Sequence, residues 1–415
     1  MKAVKIRLRG WTRKVKFFTT SGLVGLSIAL CAGAQDRDTV LQPLTNEPGE
    51  LPGLGVYIPS TLDTIQWGSL PNRESRPIIT VPSESIVIFD TVSHEGILED
   101  QGRNPIEYFA EHGVSPQGVL DDAKLIANSA MEHDFVADGP HIVTGPVAIE
   151  GAEPGDTLKI EVISLLPRVP YGVISNRHGK GSLPGEFPEN NGPEAGASAA
   201  NPALYNNVSV FTKIVNIQNI NYAVLPGKNG QEIRFEIHPF MGIMGVAPNT
   251  SGTVNSVPPG EYGGNLDINE LGVGSTLYLP VQVRGGLFYA GDPHYAQGDG
   301  EVALTALEAP LRATFRLTLL PSGDPDIPNR NSASQPFAET DEFWIPIGLD
   351  PDLDEAMKKA VREGVNFLSS SLGVDRAVAF AYMSAATDFE ISQVVDRTKG
   401  VHGLIRKSDF TQITP

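Results

Sequence analysis

Along most of this chain the apolar residues come in short runs or alternate with polar ones, and turns rich in proline and glycine interrupt them. Ser85–Thr91 is a short apolar run, and Val143–Ile149 alternates around Gly145 and Pro146. Glu150–Asp156 reads as a tight turn leading into the strand Thr157–Ile163. Further strands are expected at Asn207–Asn216, Glu232–His238, Ser275–Val283, Val302–Leu307 and Leu311–Leu320. Arg177–Pro202 is dominated by Gly, Pro, Asn and Glu, the composition of a long surface loop able to cover a site, and Pro321–Pro336 is a second turn-rich insertion. Only near the end does the period change. Leu353, Met357, Ala360, Val361, Val365 and Leu368 fall on one face at helical spacing, with acids before them and Lys358, Lys359 and Arg362 among them. This predicts an amphipathic helix over Asp352–Leu368, stopped at Gly373. A second, nearly apolar helix is expected to be buried from about Asp375 to Ala385, followed by β-like Glu390–Val395. Short strands divided by turns favour a sandwich or barrel over a doubly wound sheet. The fold class is therefore β-rich α+β: a β-sandwich or barrel-like core of short strands with a C-terminal α+β portion.

The beginning of the chain follows different rules. Seven Lys and Arg residues and no acid precede an apolar run from Gly22 to Leu30, which ends in Ala32-Gly33-Ala34. That is the layout of a secretory signal peptide over residues 1–34, and it makes the expected location periplasmic or secreted, with no stable membrane association after cleavage. Residues 35–82 read as an extended Pro/Gly-rich arm, 83–345 as the β-rich catalytic core, and 346–415 as an α+β segment packed on it. The leader holds seven of the 31 Lys+Arg and none of the 49 Asp+Glu, so its removal takes the net charge from −18 to −25. Such a surface repels nucleic acid and anionic lipid and suits small neutral or cationic ligands and divalent metals. The single cysteine, Cys31, also lies in the leader, which removes disulfides, thiolate nucleophiles and Cys-ligated zinc from the remainder.

Candidate chemistry concentrates in Gly291–Glu301, which offers Asp292, His294, Gln297, Asp299 and Glu301 without one lysine or arginine. A metal ion, a proton-transfer site or plain turn chemistry would each account for it. Asp299 and Glu301 are two residues apart, so in a strand following the glycine-rich loop both carboxylates would point to one face, with His294 folding back toward them. Asn265 and Asp267 repeat that spacing, although an Asx-turn explains them equally well. Asp90 and His94 end an early strand, where a sheet edge could present ligands. Gly242 and Gly245 would let backbone amides approach an oxyanion, or would serve tight packing. Beside His141, the Thr144-Gly145-Pro146 stretch reads as a turn. No serine sits in a Gly-x-Ser-x-Gly elbow, and no Walker or dinucleotide glycine motif occurs.

Five segments taken together resemble the acetamidase/formamidase family of amide hydrolases: His141–Asp156, Pro239–Pro248, Gly263–Val281, Gly291–Glu308 and Ser392–His402. The resemblance implies hydrolysis of short linear amides such as formamide and acetamide to the acid and ammonia, on a β-rich fold that in some members carries metal. Many relatives have Cys-Gly after the Gly-Asp-Gly-Glu-Val motif, where this chain has Ala303 and Leu304, so no thiol can act there.

The expected function is that of an exported amidase in which metal- or carboxylate-activated water attacks a small carboxamide. Glu301, Asp299 and His294 are the candidate catalytic residues. Asn265, Gly242, Gly245 and Thr144 are the candidate substrate contacts, and Asp90, His94, Asp267, Asp292 and His294 the candidate metal ligands. A divalent ion of the zinc, calcium or magnesium kind suits these oxygen and imidazole donors, and no organic cofactor is expected. A homo-oligomer is compatible with the pattern. The competing class is a binding or structural protein that keeps the fold without turnover.

Overall fold

The computed structural model describes residues 40–328 and 334–413. The leader over residues 1–34 lies outside them. Two open sheets form the core. The first has ten strands, and its centre is built from Ser85–Asp90, Leu311–Leu320, Thr157–Pro167 and Thr276–Pro280 lying side by side. The second has eleven, centred on Tyr171–Asn176, Leu307–Glu308, Phe288–Ala296 and Phe240–Gly245, with Ile142–Ile149 also paired to Phe288–Ala296.

Side-chain alternation explains how the sheets meet. On Leu311–Leu320 the residues Leu311, Ala313, Phe315 and Leu317 point inward and are fully buried, while Arg316 faces solvent. On Thr157–Pro167 Leu158, Ile160 and Val162 do the same, with Lys159 and Glu161 turned away. Phe89 and Phe315 from the first sheet meet Phe288 from the second, with ring centroids 5.5–5.8 Å apart in edge-to-face contact. Each such buried ring contributes about 1.5–3 kcal/mol by area alone. The expected β-rich class, with a helical portion near the C-terminus, describes this architecture, and the sheets are open rather than closed into a barrel.

Residues 40–82, within the stretch expected as an extended arm, supply strands to both sheets. Gly55–Ile58 joins the first sheet beside Ser85–Asp90, while Ile65–Trp67 and Ile79–Val81 pair with Ile142–Ile149 of the second. Tyr57 and Ile58 are fully buried. Their small, Pro-punctuated strands were too short to show a period. The Thr144-Gly145-Pro146 stretch, expected to be a turn, runs inside the fully buried strand Ile142–Ile149, because pairing with Phe288–Ala296 and Ile65–Trp67 on its two sides holds it extended despite the glycine and proline.

The Leu353–Leu372 helix forms as its pattern predicts: the Asp352 side chain accepts from the Glu355 N–H, and Gly373 ends it in the left-handed region at φ 67°. It lies directly on Phe343–Asp350, because a side chain at Gly348 would strike the helix backbone at Ala356 and Ala360. The following helix, Arg376–Ala386, buries only Ala379 and Met383 and leaves Val378 and Phe380 exposed, contrary to the expectation of a buried helix. Its larger apolar residues Val378 and Phe380 fall on the face turned away from the core, and only Ala379 and Met383 fall on the packed one. The last two strands, Asp388–Gln393 and Lys399–Arg406, extend the first sheet and bring the end of the chain back to the site.

Candidate active site

The site forms where the Phe288–Ala296 strand lies between Phe240–Gly245 and Ile142–Ile149. Asp292 and His294 stand on that strand. Glu308 pairs directly opposite His294, which places its carboxylate 3.0 Å from His294 Nε2. Asp292 Oδ2 is 3.1 Å from the same nitrogen. His141, just before Ile142–Ile149, brings Nε2 within 3.7 Å of Asp292 Oδ1, and His94 Nδ1 lies 3.9 Å from that oxygen. Asp267 and Glu301 approach His294 from the other side, and Asp396 arrives from the C-terminal segment.

Room for this crowd comes from Gly242. A Cβ there would stand 2.6 Å from carboxylate oxygens of both Asp267 and Asp292 and 2.8 Å from the His294 ring. The Gly242 carbonyl also accepts from the N–H of Leu266 at 3.0 Å, anchoring the turn that carries Asp267. Three of the carboxylates sit on residues in the left-handed region: Asp267 at φ 51°, Asp292 at φ 52° and Glu301 at φ 46°. That conformation costs a non-glycine residue on the order of 1–3 kcal/mol, a strain typical of functional sites. Convergence of the acids, not local stability, governs the backbone here.

Electrostatics carry the same sign. Asp267, Asp292, Glu301, Glu308 and Asp396 are all buried, and no lysine or arginine among the described residues forms an ion pair with them. Burial pushes the Glu301 carboxyl well up, reinforced by the charges of Asp396, Asp292 and Glu308. Asp267 is raised by burial and by Glu301, and burial lifts Asp396 to about 7. Burial disfavours a charged His294, yet Glu308 and Asp292 outweigh it and hold the ring protonated. His141 behaves in the opposite way: burial lowers it to about 4, leaving a neutral imidazole.

A second layer fixes the two outer histidines. His141 Nδ1 meets Ser256 Oγ at 3.0 Å, and His94 Nε2 meets Glu95 at 3.2 Å. Glu95 is itself held by Arg177 at 3.1 Å and by Ser175 at 2.7 Å. Burial would raise the Glu95 carboxyl, but the Arg177 charge overrides it and holds it at about 2.

His94, His141, Asp292, Asn265, Glu301, Glu308 and Asp396 line one cavity of about 230 Å³. A single water needs roughly 10–15 Å³ by the same kind of measure, so the cavity has room for a small organic molecule. Arg177 and Lys180, from the start of the long loop Arg177–Pro202, line it as well.

Several sequence expectations are redistributed by this geometry. His294 is fully buried behind the cavity wall and orients Asp292 and Glu308. Asp299 and Glu301 do not share a strand face: both lie in a loop, with Glu301 buried at the cavity and Asp299 exposed beside Asn269, 3.3 Å from its Nδ2. Asp90 lies away from the cavity, where Arg312 binds both its oxygens at 2.6 and 2.9 Å. Thr144 is occupied by the Asp90 carbonyl and Ser60. Gly242 makes space for the carboxylates, and Gly245 makes space for the Tyr289 ring. Glu95, Glu308 and Asp396 were missed, and His141 was read only as a neighbour of a turn. Glu308 and Asp396 fall inside the family-like segments, but nothing in their local spacing marks them.

The donor chemistry fits a divalent ion. His94, His141 and Asp292 place two imidazole nitrogens and a carboxylate oxygen within 4.8 Å of one another, and the sets Asp292–His294–Glu308 and Asp267–His294–Glu301 do likewise. His94 Nδ1, Asp292 Oδ1 and both side-chain oxygens of Asp267 are sealed from solvent without an aligned hydrogen bond. Buried polar atoms left in that state normally have an ion, a proton or a ligand to meet.

An open two-sheet fold with a buried histidine–carboxylate cavity defines the class. The chain belongs to the acetamidase/formamidase family, whose pattern matches residues 124–253 and 249–405. It is 27% identical over 262 residues to the formamidase of Methylophilus methylotrophus, covering 53% of this chain and 61% of that protein. A putative formamidase of Schizosaccharomyces pombe is 29% identical over 231 residues, 45% of this chain and 53% of its own length. The chain thus matches only about half to three-fifths of the length of these relatives. The fold is shared with the crystal structure of an acetamidase from Bacillus halodurans, with a TM-score of 0.64 and 22% identity over 86% of this chain and all of that one.

Proposed function

We propose that this protein hydrolyses a short linear carboxamide of the formamide or acetamide kind to carboxylate and ammonia. One observation carries the reading: His94, His141 and the segment holding Asp292, Glu301 and Glu308, three separate parts of the sequence, converge on one small cavity in a chain of this family. The names of the relatives support amide hydrolysis.

His94, His141 and Asp292 would hold a divalent ion, of which zinc best matches the nitrogen-rich donor set. Such an ion, when bound, supplies a fixed positive charge that polarises a carbonyl and acidifies water. The protein's own groups do the rest. Glu301 lines the cavity with a carboxyl whose affinity for protons is raised by burial and by the neighbouring acids, which suits a group that must both take and return a proton. It takes the proton of the attacking water and delivers it to the departing nitrogen, which cannot leave as an unprotonated anion. Asn265 Oδ1, buried and unpartnered at the cavity wall, suits the N–H of a carboxamide. His294 keeps Glu308 and Asp292 in place. Residues 1–34 support export, so the enzyme would act in the periplasm or outside the cell.

Ammonia release from a panel of short amides, measured with wild type and Glu301→Gln, tests the assignment. Release by wild type and its loss in the variant are expected. Zinc binding without ammonia from any amide would assign the protein instead to a binding role.

A further inference from the structure

Outside the cavity a second set of ligating atoms comes together. His402 on Lys399–Arg406 stands directly across from Glu390 on the neighbouring Asp388–Gln393 strand, and Glu270 reaches them from the loop after Gly263–Asn265. His402 Nε2 lies 3.0 Å from Glu270 Oε2 and 3.7 Å from Glu390 Oε2. One atom from each residue falls within 4.8 Å of the other two.

The histidine is aimed. It is fully buried, and Ser392 Oγ, 2.7 Å from Nδ1, fixes the ring so that Nε2 faces the carboxylates. Yet Nε2 and Glu270 Oε2 are sealed from solvent and, although close, are not aligned as a hydrogen bond. Two donors that approach without pointing at each other are disposed to share a third atom. No lysine or arginine among the described residues pairs with Glu270, Glu390 or Asp299. Glu270 and Asp299 also line an open groove of about 890 Å³, which gives an ion a path from solvent.

We propose that Glu270, Glu390 and His402 form a second divalent-cation site, distinct from the cavity, for an ion of the zinc or manganese type. One imidazole oriented by a hydroxyl, with two carboxylates, is a donor set for such ions. The ion would join three segments that already clasp the loop carrying Glu301. Gln297 Nε2 donates to the Ser392 carbonyl at 3.1 Å, Asn269 Nδ2 to the Gln297 carbonyl at 3.3 Å, and the Gly300 N–H to Ser392 at 3.2 Å. Glu270 is next to Asn269, and Glu390 is two residues from Ser392. The site therefore acts as a positioning clamp on that loop, and its existence does not depend on which amide, if any, is turned over.

The test uses the whole purified chain, stripped by chelator, dialysed against excess zinc and assayed for bound metal. Wild type is compared with Glu390→Gln, Glu270→Gln and His141→Ala. Glu390→Gln and Glu270→Gln are each expected to lose one equivalent of zinc per chain and part of the zinc-induced rise in melting temperature. That loss should add to the separate loss caused by His141→Ala. Both carboxylates are partly exposed, so their neutral isosteres should leave the chain folded, and circular dichroism checks this. Equal zinc content in wild type, Glu390→Gln and Glu270→Gln would mean an ordinary His402–Glu270 ion pair and would overturn the proposal.

Discussion

Two of the buried charge clusters among the described residues, both built on carboxylates, differ in balance. Around Asp90 two arginines face two aspartates. Arg312 binds Asp90 through two nitrogens, Tyr57 adds a hydroxyl at 2.5 Å, and Arg168 reaches Asp122 at 2.7 Å and Asp90 at 3.2 Å. Arg168 and Arg312 also donate to the carbonyls of Leu41 and Gln42, tying the start of the described chain to the first sheet. Around His294, by contrast, five carboxylates share three histidines, and many of their atoms have no partner. In the first cluster every charge has a neighbour of opposite sign at 2.6–3.2 Å. The second has unmet valences pointing at a cavity, and its backbone is strained to keep them there. Burial of charge alone thus says little about function; imbalance within a cavity says much.

The sharpest way to break this contrast is Glu301→Gln. Turnover of whichever amide the wild type cleaves should fall by about 10²–10⁴-fold, the usual worth of a general acid–base group. Its melting temperature should hold or rise, because one of several crowded acids has been neutralised. A variant that lost stability but kept its rate would reverse the roles of the two clusters. Asp90→Asn should show the complementary behaviour. Leaving Arg312 and Arg168 without their shared charge should cost about 3–5 kcal/mol in urea unfolding, with turnover per folded molecule retained.

Glu95→Gln probes the link between cluster and support. Weakening the group that orients His94 should reduce zinc affinity about 10–100-fold, read by competition with a chelator. A smaller effect is expected from pH. Asp396 has a folded-state value of about 7 against an ordinary 3.8, so the folded protein binds its proton more tightly than the unfolded chain does. Its contribution to stability is complete below pH 3.8 and lost as pH rises through about 7. The metal-stripped protein should therefore lose stability across that window, and zinc should flatten the profile, both followed by thermal melts. Asp299→Asn, on the exposed side of the loop, should change stability by no more than about 0.5 kcal/mol and leave turnover near wild type. Equal damage from Asp299→Asn and Glu301→Gln would restore the two as one catalytic pair.

Much of the fold was legible because its signals are local. Alternation marked Leu311–Leu320 and Thr157–Pro167, and the helical stripe with Asp352 and Gly373 at its ends marked Leu353–Leu372. The strands within residues 40–82 were not, since two to four residues cannot display a period. At the site, Asp292, Glu301 and Asp267 stood out as acids in glycine-rich stretches without basic neighbours. Asp90, at the end of an early strand, read as a sheet-edge ligand and is an ion-pair partner instead, because Arg312 lies 222 residues away in sequence and beside it in the sheet.

What the sequence determined by itself is the alternation that makes two sheets, the caps of the long helix, and a local excess of acid around residues 291–301. It also carried the family, through five ordered segments matched by the family pattern. Only the tertiary structure decided which acids meet. Strand pairing set Glu308 opposite His294, the C-terminal segment brought Asp396 back to Asp267, and the absent side chain of Gly242 made the space for them. The reason is physical: a residue's tendency to form a strand is fixed by its neighbours in sequence, whereas its charge acquires a meaning only from the partners that folding supplies or withholds.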